Sequence, residues 1–217
     1  MWAELSEDNK ACGIGHEQSP IDIKLADVIP ADFADVEIHW KPFEPVVTDN
    51  GHTIQINTDG MGGYALLGGV PYDLLQFHFH HLSEHTLDGE HTPMEVHFVH
   101  KSKAGDLLVL GVLLRQGDAE EPTIATVWPL VPGPHEISLG SEPIDATTML
   151  PAEFGSFRYA GSLTTPPCSE VVTWNVFADP VYLSESQIQT YRDHYENNYR
   201  PVQSLYRRLV LAEGISE

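Results

Sequence analysis

The apolar residues of this chain fall into short runs separated by Gly, Pro, Asn and Asp, the pattern of strands and turns. The runs predict strands over Val36 to Trp40, His52 to Asn57, Tyr64 to Leu67, Leu74 to His80, Met94 to His100, Leu107 to Leu114, Phe157 to Ser162 and Val171 to Phe177. Asn50-Gly51 predicts a tight turn ahead of the second of these. Leu107 to Leu114 is apolar around Gly111, as expected of a strand covered on both faces in a large sheet. One helix is clear: Ser184 and Gln187 have capping-box spacing, and Ile188, Tyr191 and Tyr195 follow at helical intervals. A second, short helix is predicted over Thr123 to Leu130. No linker, repeat or shift in composition divides the sequence, so residues 1–217 read as a single mostly β domain with helices at its margins.

Two of these strands carry the candidate chemistry. In Gln76-Phe77-His78-Phe79-His80 the alternation of a strand puts His78 and His80 on one face and Phe77 and Phe79 on the other. Glu95-Val96-His97-Phe98-Val99 repeats the pattern. Paired, the strands would present three imidazoles to one point with an apolar layer behind. Three neutral imidazoles with a fourth position open are the donor set of catalytic zinc. A lone His-x-His would not carry this reading, because histidines also pair on strands to satisfy hydrogen bonds. Here Gln76 and Glu95 each precede a candidate ligand by two residues on the same face. There they can receive the ring N–H that a metal-bound imidazole donates. No H-E-x-x-H is present, which disfavours a helical metalloprotease site. The remaining histidines His16, His39, His91, His100, His135 and His194 are expected in surface or core roles.

Charge narrows the partners. Acidic residues outnumber basic ones 32 to 11, a net charge of −21, which argues against nucleic acid and anionic membrane. The simplest account of the excess is a solvated acidic surface. No apolar run is long enough to span a membrane. Spacing alone leaves Cys12 and Cys168 as two buried thiols or one disulfide. Met1-Trp2-Ala3-Glu4 has neither a basic nor an apolar leader region. The chain is therefore expected to be cytosolic, or to have lost a leader.

A further cluster, Gly161-Ser162-Leu163-Thr164-Thr165-Pro166-Pro167, taken alone is a Pro-rich loop. Beside a metal hydroxide, a threonine hydroxyl has a definite task. It accepts a hydrogen bond from the hydroxide, gives its own proton to a buried carboxylate, and so aims one lone pair of the nucleophile at substrate. Glu84, in Ser83-Glu84-His85-Thr86, is the candidate carboxylate.

Together these segments resemble the α-class carbonic anhydrases. Gln18-Ser19-Pro20-Ile21-Asp22-Ile23 is similar to that family's early strand, Asn50-Gly51-His52 to the turn bearing its proton shuttle, and Arg200-Pro201-Val202-Gln203 to its C-terminal signature. The resemblance implies a large, mainly antiparallel central sheet of about ten strands with a few short peripheral helices. It implies one zinc ion per chain on His78, His80 and His97, with Gln76, Glu95 and the backbone carbonyl near Asn198 as their outer partners. It gives Thr164 the gatekeeping role, Glu84 that of its acceptor, and His52 that of the proton shuttle. It places bicarbonate against Thr165, and carbon dioxide against Val99, Val109, Leu163, Val172 and Trp174. Cys12 and Cys168 fall where bacterial members have a disulfide, and His81-Leu82-Ser83-Glu84 looks like the bacterial branch, which implies a periplasmic or secreted protein. Ser19-Pro20 and Pro166-Pro167 are expected to be cis.

The implied activity is reversible hydration of carbon dioxide to bicarbonate and a proton by zinc-hydroxide attack, sensitive to aromatic sulfonamides, with ester hydrolysis at most a weak side activity. Monomer and homodimer stay open. Family members usually carry a Gly-rich segment with a Tyr before the residue matching Trp2. A chain beginning at Met1-Trp2 without it is expected to lose turnover more than zinc affinity. The main rival is a non-catalytic binding module, a type in which ligand histidines are lost; all three are present here.

Overall fold

The computed structural model describes residues 2–215. A mixed sheet of 13 strands dominates it. Its centre is β1 (Ile54–Asn57), β2 (Val70–His80), β3 (Met94–Ser102), β4 (Leu107–Gly117) and β5 (Val172–Phe177), hydrogen-bonded in that order. Val46–Asp49 and then Ile137–Leu139 extend the β1 side. Ser156–Gly161, Leu211–Glu213 and Ile29–Pro30 extend the β5 side. These ten strands make the continuous run that the sequence leads one to expect, and three more attach off it. Val181–Ser184 joins β4, and Gly63–Leu67 joins β2 and carries Val36–Trp40 beyond. Most pairs are antiparallel, but β4 runs parallel to both β5 and Val181–Ser184. Asp22–Ile23 and Thr86–Leu87 form a separate small parallel pair. Among the described residues no helix is long and apolar enough to cross a membrane.

The predicted elements are present with shifted ends. β1 starts late, at Ile54, because Asn50 Oδ1 accepts from the backbone N–H of both His52 and Thr53 and holds them in the turn. β2 begins at Val70, where it forms a hairpin with Gly63–Leu67. Leu108 to Leu114 is buried throughout, as the unbroken apolar run requires. α1 (Pro122–Val127) passes into a 3-10 turn over Trp128–Leu130. α2 (Glu185–His194) starts on a complete Ser184–Gln187 capping box and is closed by Tyr195.

Alternation along β2 and β3 divides the interior into two layers. Phe77, Phe79, Val96 and Phe98 enter the larger apolar core, with ring centroids 5.2 Å apart for Phe77 and Phe98 and 4.6 Å for Trp40 and Phe98. Val99, Val109, Val172 and Trp174 belong to a smaller cluster on the opposite face. Cys12 and Cys168 are joined in a disulfide that ties the N-terminal helical turn Ala11–Ile14 to the loop after Pro167. The Ser19-Pro20, Pro166-Pro167 and His81-Leu82 peptides are cis.

His100 on β3 is a core histidine. It is fully buried, its Nε2 accepts from Trp40 Nε1 at 3.0 Å, and its Nδ1 lies 3.3 Å from the Leu108 carbonyl. That pair of bonds defines the neutral ring, and burial lowers its pKa from 6.5 to about 4. The unfolded chain therefore binds the extra proton first. Stability supplied by the neutral ring is complete above pH 6.5 and is lost as pH falls through about 4, amounting to about 3 kcal/mol. Urea midpoints of metal-free protein should drop across that window, and His100→Gln should flatten the drop; equal slopes would rule out His100 as the titrating group.

Candidate metal centre

Register builds the site. In the β2–β3 pair His78 stands directly opposite His97, and His80 opposite Glu95. The three rings crowd together, with centroid separations of 5.1 Å (His78–His80), 5.3 Å (His78–His97) and 4.6 Å (His80–His97). One nitrogen from each lies within 4.8 Å of the others.

The far nitrogen of each ring is occupied. His78 Nδ1 lies 2.9 Å from Gln76 Oε1, His80 Nδ1 lies 3.1 Å from the Asn198 carbonyl, and His97 Nε2 lies 2.8 Å from Glu95 Oε1. None of these acceptors can donate, so each ring must place its proton there. That leaves the lone pairs of His78 Nε2, His80 Nε2 and His97 Nδ1 toward the common centre. Two buried side-chain atoms among the described residues have no hydrogen-bond partner, and both are here: His80 Nε2 and Glu84 Oε2, 3.6 Å apart. Burying such atoms unsatisfied is costly. Three imidazole lone pairs, one of them orphaned, fit a zinc ion, and the orphaned carboxylate oxygen fits a hydroxyl donor beside it.

Electrostatics point the same way. Burial lowers the pKa of His78 well below the ordinary imidazole value, helped by His80, His97 and His52 and opposed by Glu95. Burial also lowers His80, against the pull of Glu84. Both rings are thus neutral near pH 7. For His97 burial pushes downward too, but the charge and hydrogen bond of Glu95, with help from Glu84, outweigh it and raise the pKa. Glu95 would be pushed upward by burial, yet the charges and hydrogen bonds of His85 and His97 hold it well below the usual carboxylate range. Glu95 is therefore a fixed negative charge behind one ligand.

The cleft above the rings has a volume of about 180 Å³. Val99, Val109, Leu163 and Trp174 are its apolar lining, and buried Thr164 and half-buried Thr165 also line it. Asn50, His52 and Gln76 line the polar side. Val172 lies two residues before Trp174 on the same face of β5, in the apolar cluster that also holds Val99 and Val109. His52 is exposed at the mouth, where partial burial lowers its pKa against the hydrogen bond at Asn50 and the charges of Glu84 and Asp49. Glu84 Oε1 accepts from the backbone N–H of Arg200 at 2.7 Å. Thr164 makes no hydrogen bond to Glu84, whose Oε2 has no partner.

Sequence reasoning missed four contributors. His85 donates its backbone N–H to Glu95 Oε2 and sets its ring Nδ1 2.8 Å from Oε1, so one carboxylate braces two imidazoles. His85 Nε2 meets the Tyr159 hydroxyl at 2.7 Å, and Tyr159 donates to Ser19 Oγ. Arg200 fixes Glu84 through its backbone. Gly111 sits opposite His97, and a Cβ there would lie 3.0 Å from Glu95 Oε1. The sequence shows His85 only as a neighbour of Glu84, Arg200 only within the C-terminal signature and Gly111 only within an apolar run; their contacts at the site form across the fold.

Known proteins agree with this geometry. The chain matches the family model of eukaryotic-type carbonic anhydrase over residues 1–214. It is 42% identical over 215 residues to a carbonic anhydrase of Nostoc sp., covering 97% of this chain and 81% of that protein. Its fold matches the α-carbonic anhydrase of Thermovibrio ammonificans, solved in complex with the inhibitor sulfanilamide. The TM-score is 0.93 at 43% identity, over 97% of this chain and 93% of that one. Dioscorin complexed with ascorbate has the same fold at 26% identity and a TM-score of 0.91, over 97% and 91% of the two chains. Matched along almost its whole length by the family model and by a close relative, this chain belongs to the α-class carbonic anhydrase family.

Proposed function

We propose that the chain catalyses the reversible hydration of carbon dioxide to bicarbonate and a proton, with one zinc ion held by His78, His80 and His97. The observation that carries this is the set of three ring lone pairs converging on one point while every outer ring nitrogen is engaged. The fold alone would not carry it, since dioscorin shares the fold and was solved with ascorbate. Zinc bound there supplies a Lewis acid that brings the pKa of water from about 15.7 to about 7.

The protein's own groups do the rest. Val99, Val109, Leu163 and Trp174 offer a dry wall that suits a small nonpolar substrate without a charge to grip, and Val172 continues it along β5. Thr164 would aim the nucleophile by turning its hydroxyl to Glu84 Oε2, which is unpartnered while the other carboxylate oxygen is held by the backbone N–H of Arg200. Thr165, in the lining of the cleft, receives the bicarbonate product. Each turnover leaves a proton in the cleft, and His52 at the mouth carries it to solvent. The disulfide supports a periplasmic or secreted location, because such bridges persist in oxidising compartments.

Three outcomes test this reading. Glu95→Ala should weaken zinc binding by about 10- to 100-fold in a chelator competition titration, because the proton of His97 loses its anchor. Thr164→Ala should cut carbon dioxide hydration about a hundredfold while one zinc per chain remains; an unchanged stopped-flow rate would refute the role of that hydroxyl. His52→Ala should lower kcat but not kcat/KM, and added imidazole should restore it. In the intact protein the ionisation governing kcat should lie below that of an ordinary imidazole, following the direction in which His52 is shifted.

A further inference from the structure

Asn198 enters the sequence-based reading only through its backbone carbonyl, yet its side chain is more heavily engaged. Its Oδ1 accepts the backbone N–H of His81 at 2.7 Å. Its Nδ2 lies 2.8 Å from the His52 carbonyl, 2.9 Å from the Tyr191 hydroxyl and 3.2 Å from the Phe79 carbonyl. An acceptor needed on one side and donors on the other leave one orientation for the amide. The same residue's carbonyl takes the proton of His80 Nδ1 at 3.1 Å. One residue thus touches the turn that bears His52, both neighbours of the ligand His80 on β2, and α2 through Tyr191.

We propose that the Asn198 side chain is a positioning residue for proton export, clamping the His52 turn onto the ligand strand. The proposal rests on the hydration reading above. The turn is otherwise held mostly by itself: Asn50 Oδ1 accepts from the N–H groups of His52 and Thr53 at 3.1 and 3.0 Å. Its other tie to β2 is the Thr53 hydroxyl, which donates to the Phe79 carbonyl at 2.6 Å. Losing the Asn198 amide removes the bond to His52's own carbonyl and leaves the Thr53 tie, so the turn loosens without detaching. Proton relays depend steeply on distance and alignment, whereas attack on carbon dioxide takes place at the opposite, apolar wall. Removing the amide therefore slows the step that follows bicarbonate release and spares the step before it.

The test is Asn198→Ala, which keeps the backbone carbonyl for His80, made alone and with His52→Ala, with zinc per chain measured in each. In weak buffer, kcat should fall about tenfold while kcat/KM stays within about twofold, and the fall should vanish in the His52→Ala background. Amide hydrogen exchange at His52 and Thr53 should also quicken. Their donors bond to Asn50 rather than to Asn198, so faster exchange reports a looser turn and not merely a deleted bond. Equal losses in kcat and kcat/KM, a loss that persists without His52, or unchanged exchange at the turn would each overturn the proposal. Should the Ala variant not fold, Asn198→Ser carries the same measurements. Intact protein that binds zinc but hydrates nothing would defeat the hydration reading instead, and the exchange measurement would still decide whether Asn198 holds the turn.

Discussion

The register between β2 and β3 is the constraint from which the site follows. Pairing His78 with His97 sets two imidazoles edge to face, and the alternation of the pleat then brings His80 beside them and sends Phe77, Phe79 and Phe98 to the core. A slip of one residue would bury the imidazoles in that core and turn the aromatic rings into the cleft. The apolar layer is therefore more than support. It selects against one-residue slips, which would expose Phe and bury unpaired polar rings.

Around this register, partners come from progressively more distant parts of the chain. Gln76 and Glu95 lie on the ligand strands themselves. His85 lies on the loop between them and shares Glu95 with His97. Asn198 and Arg200 arrive from near the end of the sequence to close His80 and Glu84. Each addition fixes one more proton or one more oxygen, so the centre is rigid because its acceptors are taken.

How much of this can be read in the sequence follows the same gradient. The ligands and Gln76 were legible because strand periodicity is local: two residues along is the same face. The fully buried β4 and the capping box of α2 were legible for similar reasons. The ends of strands were less so, since the start of β1 is decided by the side chain of Asn50 and that of β2 by a hairpin partner. Ser19 and Arg200 lie in segments that the family resemblance marks, but their contacts, like those of Tyr159 and the Asn198 side chain, left no local signal, since each is made only once the sheet has closed. The resemblance to a known family supplied the Cys12–Cys168 pairing, which spacing alone left open.

The late position of Asn198 and Arg200 has a consequence for how the molecule is made. All three candidate ligands are translated by residue 97, but the acceptor for His80 and the donor for Glu84 follow about a hundred residues afterwards. A nascent chain in the interval holds the ligands without the groups that orient two sides of the centre. The centre is complete only when the C-terminal segment docks, so its geometry belongs to the finished fold and not to the two strands alone.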